Sequence, residues 1–114
     1  MKIEHNGMLV RIYFSESAHH EHSDTLGLII AALSKAGFVG ASVFKGIEGY
    51  GSHRYISSAS IIDAYVDLPI LIEVVDDEEK VRSFIPTLET ILEDGLVTLE
   101  RVQTLFYRGT PVCG

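Results

Sequence analysis

The sequence is short of cysteine, of cationic side chains and of any long hydrophobic run, and each shortage removes a class of protein. Its single cysteine, Cys113, lies in the C-terminal tail, so no intramolecular disulfide can form. That usage suits a reducing compartment, and a cytoplasmic protein is expected. Lys and Arg number 9 against 16 Asp and Glu, for a formal net charge of -7. So acidic a chain lacks the basic face that grips nucleic acid or an anionic membrane regardless of sequence. Neither partner is expected, although a local basic pocket for a phosphorylated small molecule remains compatible with the count. The longest apolar stretch, Leu28 to Leu33, is far too short to span a bilayer, and Met1 to Gly7 lacks the apolar run of a signal peptide. A catalytic set is missing as well. No serine stands in a nucleophile elbow, His53 has no assignable acid partner, and a tail cysteine is poorly placed as a nucleophile. No enzyme is predicted.

What is present is an ordinary balance, 46% apolar and 22% charged over 114 residues, which is the size of one domain around one core. Residues 1–114 are therefore read as one unit. Met8 to Phe14 is rich in β-branched and aromatic residues and predicts a strand. Ser23 and Asp24 supply an N-cap and a first-turn acid for a helix carrying Leu26, Ile29, Ile30 and Leu33 at helical spacing, and Gly37 is placed to end it in a left-handed turn. Ala41 to Glu48 predicts the second strand. Leu68 to Val75 is the strongest strand signal, with Pro69 tolerated near its start. Asp76 and Glu79 form a capping-box pattern ahead of a helix whose stripe is Val81, Phe84, Ile85, Leu88, Ile91 and Leu92. Pro86 should bend that helix and Gly95 should end it. Leu96 to Tyr107 predicts a last strand, broken near Glu100 and Arg101.

The order βαββαβ predicts an α+β, ferredoxin-like fold, with a four-stranded antiparallel sheet and both helices on one face. The other face would then meet water. Yet Ile70, Ile72 and Val74 alternate with Leu71 and Val75, so the sheet is apolar on both sides and calls for a second cover. A further copy of the chain is the simplest one.

Gly46-Ile47-Glu48-Gly49-Tyr50-Gly51, then Leu68-Pro69-Ile70 leading to Ile72-Glu73-Val74-Val75-Asp76, then Gly95-Leu96-Val97-Thr98-Leu99-Glu100, in that order, resemble an uncharacterised family of PII-like bacterial proteins, a domain of unknown function. The resemblance spans about Leu9 to Tyr107. It implies a subunit of a homotrimer that signals through a small effector, typically an adenine nucleotide, held in clefts between subunits, and through a long loop that contacts a regulated transporter or enzyme. The matching loop is residues 49–67. Proteins of the PII type also carry two phosphate-gripping arginines late in the last strand. The positions that correspond here, after Leu99-Glu100-Arg101-Val102, are Thr104 and Phe106, so that grip is not carried over.

Three glycines in the run Gly46, Gly49 and Gly51 allow positive φ and a concave set of amide N–H groups for an anion, or else a bulge and bend where the strand leaves the sheet; both readings stand. Lys45, His53 and Arg54 are the candidate anion contacts, with Glu48 and Tyr50 to orient them or a ribose-like group. The alternative for Ser52 to Tyr55 is a solvated loop tip. His19, His20 and His22, with Glu21, suggest a transition-metal site, set against a solvated connector that lacks a second set of ligands. The acids Asp76 to Glu79 are explained by a helix N-terminus.

Overall fold

The alternation along the strands and the 3.6-residue period along the helices build a two-layer molecule. The computed structural model describes residues 1–21, 23–50, 57–58 and 67–109. Its main elements are β1 (Lys2–Ser15), α1 (Thr25–Lys35), β2 (Ser42–Lys45), β3 (Pro69–Asp76), α2 (Glu78–Ile91) and β4 (Leu96–Tyr107). The sheet order is β2-β3-β1-β4 and all three pairings are antiparallel, the ferredoxin-like arrangement. Two minor ladders join His19–His20 to Ser23–Asp24 and Glu48–Gly49 to Ser57–Ser58.

One face of the sheet makes the core. Met8, Val10, Ile12 and Phe14 of β1 and Ile70, Ile72 and Val74 of β3 are buried against Ile29 and Leu33 of α1 and Val81, Phe84 and Leu88 of α2. Every second strand residue and every third or fourth helix residue enters it, as the two periods require. No helix or strand among the described residues covers the opposite face. It carries Leu71 and Val75 as expected, joined by Leu9, Tyr13, Phe44 and Leu96, with Tyr13, Phe44, Val75 and Leu96 exposed. At its centre Arg11 lies between Glu73 at 3.1 Å and Glu100 at 3.7 Å.

The ends of the helices differ partly from expectation. Asp24, not Ser23, caps α1, accepting the Gly27 N–H at 3.2 Å. Gly37 ends it at φ 83° with the bonds Phe38 N–H to Leu33 O and Gly37 N–H to Ser34 O, the paired closure of a left-handed C-terminus. The N-cap of α2 is Asp77, and its side chain makes no cap hydrogen bond. Asp76 instead ends β3, buried, and accepts from Asp77 N–H, Val39 N–H and Lys80 Nζ. The capping box is therefore a tie between the α1–β2 connection and the start of α2. The helix runs through Pro86 and stops at Leu92 in extended backbone, so Gly95 is not its cap.

The strands differ in extent from the patterns: β2 is shorter, Ser42–Lys45 rather than Ala41 to Glu48, because the chain bends at Gly46 against Pro69, while β1 is longer and β4 is unbroken. β4 is continuous through Glu100 and Arg101, and β1 begins at Lys2 rather than Met8. The extra lengths pair with each other, Lys2 opposite Tyr107 through Gly7 opposite Val102, and extend as a two-stranded ribbon past β3, which leaves the sheet at Asp76 opposite Met8. Half-buried positions on β4 change parity at that point, from Val97 to Val102, Thr104 and Phe106. The apparent break is this change of sheltered side. No helix among the described residues is long and apolar enough to cross a membrane.

Candidate functional site

The site begins with three consecutive residues where β3 starts. Asp67 receives the hydroxyls of Ser15 and Ser17, the latter at 2.8 Å, and the Ser17 N–H at 3.1 Å. Leu68 O accepts Glu16 N–H at 2.9 Å, and Pro69 O accepts Gly46 N–H at 2.7 Å. The exits of β1 and β2 and the start of β3 are stitched together by these bonds. Pro69 also explains two glycines. A Cβ on Gly46 would stand 2.5 Å from its ring, and one on Gly49 would stand 3.0 Å away. Neither glycine has a positive φ, so among the described residues of the run the missing side chain, not a left-handed backbone, is what the glycines supply. This is the bend reading of the run. Gly51 lies outside the described residues.

Beside this junction opens a cleft of about 800 Å³. Gly49 and Tyr50 line it from the N-terminal end of the 49–67 segment, and Asp67 from its C-terminal end. Tyr13 and Phe14 come from β1, Ser17 and His19 from the connection to α1, and Glu93 to Leu96 from the turn ahead of β4. Gly95 lets that turn approach, since a Cβ there would lie 2.5 Å from Tyr13 O. The walls are aromatic and acidic. Among the described residues none of the lining side chains is Lys or Arg.

The predicted anion contacts are only partly gathered here. Gly49 and Tyr50 are in the cleft, Tyr50 being 78% exposed. Gly46 packs on Pro69 just outside it, and Glu48, exposed, pairs in register with Ser58. Lys45 belongs elsewhere: its ammonium is bonded to Glu16 in a separate groove of about 410 Å³ with Asp24, Leu26, Val43 and Ile70. His53 and Arg54 lie outside the described residues. Asp67 and its serine partners went unnoticed in the sequence, because a bond across 52 positions has no periodic signature.

His19 and His20 lie on a strand ladder rather than a helical turn. His19 and His20 occupy adjacent positions of a two-residue ladder with a turn at Glu21, φ 49°, so their side chains diverge. His20 turns Nδ1 toward Glu93 at 3.5 Å without a hydrogen bond. His22 lies outside the described residues. Among the described residues no three His, Cys, Asp or Glu side chains converge as metal ligands.

Comparison with known proteins settles the lineage. Residues 7–104 match the family model DUF190, described as uncharacterized ACR. The chain belongs to the DUF190 family. It is 31% identical over 98 residues to a UPF0166 protein of Aquifex aeolicus, covering 86% of this chain and 92% of that one. A UPF0166 protein of Methanocaldococcus jannaschii is 36% identical over 92 residues, 80% and 84% of the two chains. Among solved structures it is similar to CPII, a nitrogen regulatory PII-like protein from Thiomonas intermedia K12 bound to ADP, AMP and bicarbonate, with TM-score 0.62, 21% identity, and 90% and 91% of the chains covered. A PII-like signalling protein from Thermus thermophilus superposes with TM-score 0.62 at 15% identity over 89% and 91% of the chains. This DUF190 chain therefore has the PII-like fold.

Thr104 and Phe106 fall on the ribbon of this DUF190 member, where Thr104 bonds to His5 and Phe106 lies under the Arg108 guanidinium at 5.8 Å. Arg101 reaches the other way, to Glu78 at 2.9 Å. Hydrogen bonds from Arg101 and Arg82 lower the Glu78 carboxyl to about 2.

Proposed function

We propose that this chain is a PII-like regulator rather than a catalyst: three copies assemble through their open sheet faces, a small anionic effector such as an adenine nucleotide binds in the clefts between them, and the 49–67 segment meets a regulated transporter or enzyme. The observation that carries this reading is that both ends of that segment line one cleft, together with the turn around Gly95. An effector in such a cleft touches the base of the partner-contacting segment directly, and a ligand shifts a conformational population by its differential contacts alone. The binding of ADP and AMP by CPII supports the nucleotide class.

The cleft's own walls offer carboxylates and aromatic rings, so the cations that meet an anion come from His53 and Arg54, or from a neighbouring copy. His53 and Arg54 follow Tyr50 by three and four residues, within about 14 Å of chain reach. Thermal-shift titration with ATP, ADP, AMP and cyclic nucleotides tests the reading, with Zn²⁺ and Cu²⁺ as control arms. A nucleotide-specific rise in Tm that Arg54→Ala weakens is expected. No response to any nucleotide, or a response to the metals alone, overturns it.

A further inference from the structure

Asp67 stands where the 49–67 segment rejoins the sheet, and its partners lie on a different part of the chain. Among its partners on the described residues are two hydroxyls and one backbone N–H, from Ser15 and Ser17 at the exit of β1. Bonds to an ionised acceptor are shorter and stronger than neutral ones. Two residues on, Pro69 holds the other end of the segment through Gly46 N–H and through ring contact with Gly46 and Gly49. Between them Leu68 is engaged through both of its backbone groups: Leu68 O accepts Glu16 N–H at 2.9 Å, and Leu68 N–H approaches Glu16 Oε2 at 3.5 Å. Glu16 in turn carries the Lys45 ammonium of β2. One unbroken path thus runs from Ser17 through Asp67, Leu68 and Pro69 to Gly46 and Gly49. Asp67, Ser17 and Gly49 on that path all line the cleft.

We propose that Asp67 is the positioning residue of the effector site: it sets the spacing between the Ser15–Ser17 wall and the Gly49–Tyr50 wall, and so couples occupancy of the cleft to both ends of the 49–67 segment. This rests on the cleft being the effector site. The coupling itself is a property of the ligand-free chain. A carboxamide at this position keeps an oxygen for the serine donors, whereas a methyl group keeps nothing. Removal of the two hydroxyls from the opposite side leaves only the Ser17 N–H on the carboxylate, so it loosens the same tie in the same direction as removal of the carboxylate.

The test is amide hydrogen exchange on the ligand-free protein, followed by calorimetric titration with ADP. Asp67→Ala raises exchange about tenfold at Ser17 and also at Gly46, which Asp67 does not touch, as loss of one charge-assisted tie implies. The Ser15→Ala, Ser17→Ala double variant reproduces both changes, and Asp67→Asn restores most of the protection. Leu33→Ala, a core variant away from the cleft, lowers Tm without the selective rise at Gly46. With ADP, Asp67→Ala weakens binding about tenfold and Asp67→Asn by less. Unchanged exchange at Gly46 in Asp67→Ala, or in the double serine variant should the former not fold, overturns the coupling. Wild-type ADP affinity in a folded Asp67→Ala variant overturns the positioning role. A wild-type chain that binds no nucleotide sinks the proposed function instead, and leaves the exchange arm to decide the coupling by itself.

Discussion

The two faces of the sheet have nearly the same alphabet and opposite circumstances. Ile70, Ile72 and Val74 lie under both helices, with Ile72 wholly buried, while Leu71 and Val75, their immediate neighbours in sequence, point the other way and Val75 is 43% exposed. Apolarity alone does not distinguish the faces. What does is the treatment of charge. The covered face is free of charged side chains at its centre, and the open face places Arg11 there between two carboxylates. An arginine shared between two glutamates leaves little net charge in the patch of a chain that carries -7. Copies of so acidic a molecule repel one another least across such a patch.

Four measurements break or sharpen this contrast, from the largest effect down. Ile72→Ala removes a fully buried side chain from the covered face and is expected to cost about 2–5 kcal/mol in urea unfolding. A cost below about 1 kcal/mol would put the core elsewhere. Gly95→Ala pushes a methyl to 2.5 Å from Tyr13 O and should cost about 1–3 kcal/mol through strain rather than lost burial. Val75→Asp on the open face should change the stability of a separated chain by only about 0.5 kcal/mol. Its expected effect is on the proposed trimer, whose mass in light scattering should fall to that of one chain, and an unchanged mass removes this face as the contact between copies. Last, the Glu78 carboxyl sits at about 2 because Arg101 and Arg82 bond to it. A carboxyl lowered in the folded state contributes stability that is present above its unfolded value, about 4.3, and is lost as pH falls through the folded one. The Tm gap between wild type and Arg101→Met is therefore expected to close between about pH 4.3 and about pH 2, and a gap constant across that window rules out the carboxyl as its source.

Much of the fold was legible because burial imposes periods. Leu68 to Val75, the stripe of α2 and the Gly37 terminus stand where the patterns place them. Other features were hidden for physical reasons. β4 looks broken at Glu100 and Arg101 because its sheltered side changes where β3 departs, so the alternation slips phase while the ladder continues. Asp76 looks like a cap because an acid before a helix ordinarily is one. Only the fold shows that Val39 and Lys80 claim its carboxylate. In the site, the glycine run and the Gly95 turn were recognisable, but their cause was not. Gly46 and Gly49 yield to Pro69, some twenty residues away in sequence, and Gly95 yields to the carbonyl of Tyr13. Asp67, with hydroxyl partners on a polar connector, carries no pattern at all.

The ribbon closes on itself at its tip. The Met1 ammonium donates to Arg108 O at 2.9 Å, and Arg108 N–H donates back to Met1 O at the same distance. Residues 1 and 108 are thus held like adjoining links, and a bridge of a few residues would make the backbone a ring. Reopened at Gly40, where an added Cβ meets nothing within 4 Å, that ring would be a rearranged chain with every pairing of the four-stranded sheet intact.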